Sequence, residues 1–188
     1  MHWKSPQSPR KKKACMSKSK FKAMMIVFFD IWGVIHIDWV PEGQTVNQVY
    51  YKNVLTTLCE RVRRRRPDMW KNASWILHHD NALSVKRYLV KNNIPVMEHP
   101  QYSPDLAPCD FFLFPKIESA LKGTRFESMD AVKAKAMQLL NSITQDDLQH
   151  CFQQWKIRME RCRDRGGDYI EGDNISNVSF FFNKGFEH

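Results

Sequence analysis

Apolar positions along the chain follow two periods, and the change from one to the other marks the elements. Ala23 to Phe29 is an unbroken apolar run closed by Asp30, and after the break at Gly33 the residues Val34, Ile35, Ile37 and Trp39 share the next segment with His36 and Asp38. Two strands joined by a tight turn, hydrogen-bonded to each other, are predicted. Pro41-Glu42-Gly43 turns the chain, and Thr45 with Gln48 has the form of a capping box. Val46, Tyr50, Val54, Leu58 and Val62 then recur at steps of four, with Val49 and Leu55 widening the stripe, so a core-packing helix is predicted to end before Pro67. Trp75 to Leu77 reads as a short buried strand, Leu83 to Asn93 as a helix with Leu83, Arg87 and Val90 on one side, and Ile94 to Met97 as another strand. Pro100, Pro104 and Pro108 mark an extended loop, after which a helix starts near Pro108 and must kink or restart at Pro115. Two longer helices close the pattern. Met129 to Ile143, capped by Ser128, carries Val132, Ala136, Leu139, Leu140 and Ile143; the next, capped by Thr144 and stopped by Gly166-Gly167, carries Leu148, Phe152, Trp155, Met159 and Cys162. The tail holds Val178 and Phe180 to Phe182 without a helical period, and reads equally as an edge strand or as an extension outside the domain. Strands first, then helices alternating with short strands, make this an α/β chain with a mixed sheet.

With 188 residues there is room for one domain and a tail. The composition divides it into a basic arm (1–22), a domain (23–173) and a C-terminal segment (174–188). The net charge of +9 and pI near 9.4 favour polyanionic partners. Two clusters carry much of that charge: Lys11, Lys12 and Lys13 in the arm, and Arg61 with Arg63, Arg64, Arg65 and Arg66 at the end of the first helix. Cations at a helix C-terminus complement its dipole, but so many arginines exceed that need, and the guanidinium suits phosphate. The arm reads as a solvated segment with affinity for DNA or as an import signal. Five widely spaced cysteines with no CxxC pair fit a reducing compartment, and His78, His79 and His99 have no cysteine partners at zinc-finger spacing. Asp30 interrupts the one apolar run that imitates a secretory signal, and no run approaches the length of a membrane span.

Three aspartates stand at the edges of apolar structure. Asp80 follows the Trp75 strand, where α/β sheets present functional groups; Asp110 lies among Pro108, Phe111, Phe112 and Phe114; Asp30 ends the first strand. A carboxylate in so apolar a setting needs a partner, and a hard cation would serve. Taken singly, each reads more readily as a cap, turn or solvated residue, as Asp105 in Ser-Pro-Asp-Leu does.

The strings FFDIWGVIH, VPEGQTVNQ, WILHHDNA, YSPDLAPCDFFLFP and GTRFES, followed by WKIRMERC and GDYIEGDN, together resemble the catalytic domain of mariner transposases from about Trp3 to Asn174. The resemblance implies a ribonuclease-H-like mixed sheet flanked by helices, DNA as substrate and a nuclear location. It also implies two ions of Mg2+ or Mn2+, with Asp30 bridging both, Asp80 and Asp110 each holding one, and His79 and Asn81 orienting Asp80. Two departures bear on activity. Between Asp80 and Asp110 lie 29 residues, about five fewer than in the family, the shortfall falling after Asn81-Ala82. The helix-turn-helix modules and the first sheet strand of full-length relatives would precede Trp3, so an unpaired sheet edge is expected. Two functions follow: metal-dependent strand cleavage or transfer, impaired, by the three aspartates; or a non-catalytic module that binds DNA non-specifically or pairs with related subunits or a second copy of itself.

Overall fold

In a computed structural model the described residues are 23–79, 83–97, 99, 103–164, 180–181 and 185–187. Strand β1 (Met24–Asp30) pairs antiparallel with β2 (Gly33–Val40), with a bulge between Phe28 and Phe29. Helices α1 (Gln48–Arg65) and α2 (Pro67–Lys71) lead to strand β3 (Ile76–His78), which pairs in parallel with β4 (Val96–Met97) across helix α3 (Leu83–Lys91). A 3-10 turn (Pro104–Leu106) and a π-helical turn (Cys109–Leu113) run into α4 (Phe114–Leu121), followed by α5 (Met129–Ser142) and α6 (Gln145–Asp164).

The period-2 geometry of β1 explains the layers. Met25, Val27 and Phe29 point into a core with Leu113, Ile117, Val132, Leu140, Phe152 and Trp155 from α4, α5 and α6. Ile26 and Phe28 point the other way, to Tyr51, Leu55, Leu58, Leu77, Val85 and Leu89. A strand buried on both faces must be apolar throughout, as this run is. Phe28 and Phe29 are both fully buried, each contributing roughly 1.5–3 kcal/mol of transfer free energy.

The tail supplies strands. β5 (Phe180–Phe181) pairs in parallel with β3, and β6 (Gly185–Glu187) pairs antiparallel with β1. Strand β1 is thus paired on both sides, by β2 along its length and by β6 at Met24 to Ile26.

Three local readings also change. The N-cap of α1 is Asn47, not Thr45, and its side chain accepts from the Tyr50 N–H at 2.9 Å. Moving the start shifts the buried stripe to Tyr51, Val54, Leu55, Leu58 and Val62, leaving Val49 66% exposed and Tyr50 free to donate its hydroxyl to Asp38. In α3 the buried side chains are Val85 and Leu89, at i and i+4, while Val90 is 75% exposed and Arg87 lies in solvent. At Pro115 the predicted kink is a widened turn: the Phe114 N–H donates to Cys109 O, five residues back, before the α-helix continues. That widening accommodates the proline ring, which would press on the carbonyl four residues earlier in a regular helix. Both caps predicted for α5 and α6 are present, Ser128 accepting from Ala131 and Thr144 exchanging bonds with Asp147.

Candidate functional site

Asp30 closes β1 and opens the hairpin Asp30-Ile31-Trp32-Gly33. Its Oδ1 accepts the N–H groups of Trp32 and Gly33, each at 2.9 Å, the pattern of an aspartate folding the turn that follows it. Gly33 takes a φ of +149°, which an L side chain rarely adopts. The same carboxylate receives Arg66 through two bonds, Nε to Oδ2 at 2.8 Å and Nη2 to Oδ1 at 3.1 Å. Asp30 is 0% exposed, so this planar pairing compensates a buried carboxylate.

This geometry bears directly on the expected bridging role. A carboxylate that bridges two divalent ions turns its lone pairs to them. Here Oδ1 accepts three N–H groups and Oδ2 one, and a guanidinium stands in the place of a cation. As arranged, the Asp30 carboxylate folds the hairpin and ties it to the end of α1. Among the described residues no group of three or more His, Cys, Asp or Glu side chains could hold a metal ion.

The other expected ligands are placed unequally. Asp80 and Asn81 lie outside the described residues, as do Lys11, Lys12 and Lys13. Asp110 sits half-buried on the π-helical turn, its own N–H donating to Ala107 O at 2.7 Å. His79 is buried beside Tyr51, with ring centroids 6.2 Å apart. His78, the last residue of β3, is buried against the ring of Trp155 and lies 3.2 Å from His99 between ring nitrogens. Burial, then the neighbouring His99 and His79, push its pKa down to about 3, so it is held neutral.

Of the arginines, Arg63, Arg64 and Arg65 are exposed, and Arg66 is engaged by Asp30. Arg65 donates to Val34 O at 2.6 Å, and the Arg63 guanidinium lies 4.8 Å from the centroid of Trp70, which stacks on Trp75. Arg61 is exposed one turn earlier.

Two features escaped the sequence reading. From α6, Trp155 Nε1 donates to Leu106 O at 2.7 Å and Arg158 Nη1 to Asp105 O at 3.0 Å, while the Arg158 guanidinium packs 4.3 Å from the Phe111 centroid. One helix thus holds the loop on both sides of Asp110. Arg158 sits one turn beyond Trp155 in a stripe that marked the face but gave no partner. The other is Trp32, exposed at the hairpin tip; the Asp-x-x-Gly spacing of the turn was its available signal.

A family model described as transposase (partial DDE domain) matches residues 1–72. The mariner Mos1 transposase of Drosophila mauritiana is 31% identical over 172 residues, covering 88% of this chain and 50% of that protein. Human histone-lysine N-methyltransferase SETMAR is 26% identical over 155 residues, 80% of this chain and 23% of that protein. The chain thus spans about half the length of the first of these relatives and a quarter of the second. The Mos1 transposase catalytic domain solved with raltegravir and Mg superposes with a TM-score of 0.72 at 32% identity, covering 80% of this chain and 78% of that one. Two three-stranded sheets with helices packed on both faces of β1, and this likeness along most of a catalytic domain, give one conclusion: the chain belongs to the mariner transposase family and has the ribonuclease-H-like fold of its catalytic domain.

Proposed function

We propose that this chain is a non-catalytic DNA-binding module of transposase descent, acting on nuclear DNA. The observation that carries the reading is the state of Asp30, whose carboxylate is filled by Arg66 and two turn amides while Arg61, Arg63 and Arg64 lie exposed near the end of α1. Exposed arginines at the end of a helix neutralise phosphates and release counterions, which gives sequence-independent, salt-dependent affinity. Relatives support DNA as the partner class: Mos1 has been solved as a pre-cleavage transpososome and as a paired-end complex with Mn. Pairing of two copies is the natural extension of that likeness.

The second reading, cleavage at Asp30, Asp80 and Asp110 with Mg2+ or Mn2+, is favoured by the Mos1 catalytic domain having been solved with each metal. In this chain it requires Arg66 to leave Asp30. The test is one labelled duplex, assayed for binding across a salt series and for cutting with Mg2+ or Mn2+. Binding that weakens steeply with salt, without cutting, is expected. Metal-dependent cutting that Asp80→Ala and Asp110→Ala abolish would overturn the non-catalytic reading. Absence of binding at low salt would overturn the DNA reading itself.

A further inference from the structure

Trp32 is the largest apolar side chain left open among the described residues, with 47% of its surface in solvent. Its position is firmly determined. The Asp30 carboxylate accepts its backbone N–H, and the same carboxylate fixes the Arg66 guanidinium through two bonds. Arg66 in turn lies 5.4 Å from the centre of the Trp32 ring. A single buried group therefore anchors both the tryptophan's turn and the cation beside it, so neither must be ordered when a ligand arrives.

The end of α1, which leads into Arg66, is cationic. Arg61 and Arg64 are exposed on the last turns of α1, and Arg65 ties that helix end to the first residues of β2 through Val34 O. An aromatic ring among arginines at a surface of positive charge has the chemistry that grips unpaired nucleotides: the ring takes a base face and the guanidinium groups take phosphate. A duplex hides its base faces in its own stack, so phosphate contacts alone would leave Trp32 without a task.

We propose that Trp32, with Arg66 beside it, is a stacking platform for the bases of single-stranded DNA. This rests on the DNA-binding reading above and adds to it a preference for unpaired nucleotides. Asp30 is then a positioning residue for the platform.

The test uses fluorescence anisotropy with three labelled probes of equal length: an oligothymidine of about twelve nucleotides, an abasic strand of the same charge, and a duplex. The full chain is expected to bind oligothymidine more tightly than the abasic strand. Trp32→Ala should weaken oligothymidine binding about tenfold, the loss of one stacked base, with duplex affinity within about twofold. Trp32→Phe should recover most of the loss, and Arg64→Ala should weaken all three probes alike. Since Trp32 is exposed, an unchanged melting temperature for Trp32→Ala confirms that the fold is intact. Equal affinity for the abasic strand, or oligothymidine binding indifferent to Trp32→Ala, overturns the platform while leaving duplex binding standing. A chain that binds none of the probes overturns both readings.

Discussion

Asp30 at the end of β1 and His78 at the end of β3 are buried polar groups that solve the same problem in opposite ways. Asp30 keeps a carboxylate out of water by matching it with a guanidinium and two amides. His78 is held neutral among Trp155, His99 and His79, where burial disfavours its charged form. Desolvation opposes charge at both corners; only the first has a fixed cation to offset it. The first corner is consequently rigid and polar up to the surface, where Arg66 and Trp32 meet solvent, while the second is an apolar seal beneath the loop that carries Asp110.

The largest effect that would separate the two corners is Arg66→Ala, which strands a fully buried carboxylate. A loss of about 3–5 kcal/mol is expected, from the cost of removing one member of a buried pair. Asp30→Asn should cost less, since its amide oxygen still accepts the turn N–H groups and Arg66 can reach water. Urea denaturation of the two variants checks the order, and an Asp30→Asn loss equal to or above that of Arg66→Ala would refute the account of the pair.

The His78 corner should respond to pH. Its folded pKa, about 3, lies below the ordinary value of 6.5, so the unfolded chain takes up a proton first as pH falls. Its contribution to stability is full above about 6.5 and is lost progressively toward about 3, with a slope of at most ~1.4 kcal/mol per pH unit. Stability of the protein and of His78→Gln, followed by denaturant midpoint between pH 7 and pH 4, should diverge in slope. Parallel curves would show that His78 is not the group responsible.

Trp155→Phe keeps most of the apolar packing of the second corner but removes the donor to Leu106 O, leaving that buried carbonyl short of a bond. A cost of about 1–3 kcal/mol is expected. Faster amide exchange in residues 103–111 would show that α6 secures this loop. The smallest contrast lies away from both corners: Asn47→Ala should cost about 1 kcal/mol as the loss of an N-cap, and Thr45→Ala close to nothing. Thermal melts of the two variants distinguish the observed cap from the one first expected.

Much of the architecture was legible in local patterns. The apolar β1 run, the break at Gly33, the α1 stop before Pro67, the Ser128 and Thr144 caps and the irregularity at Pro115 each follow from the chemistry of a few adjacent residues. Phase was harder. Tyr50 against Tyr51, and Val90 against Leu89, differ by one position around a helix, and either stripe satisfies the period. Which one turns inward depends on where the cap falls and what faces it. For the site, the three aspartates had suitable settings in the sequence, but no local pattern showed that Asp30 would meet Arg66.

The sequence by itself determined the order of elements, the two-faced burial of β1, the cationic end of α1 and the family, because each rests on short-range periodicity, charge or matched strings. Tertiary structure alone decided that Asp30 is filled by Arg66, 36 positions away, that α6 clamps the loop around Asp110, and that the tail pairs with both β1 and β3. A carboxylate has the same formula whether it faces a guanidinium or a metal ion. Which partner it meets is set by chain segments that only folding brings together.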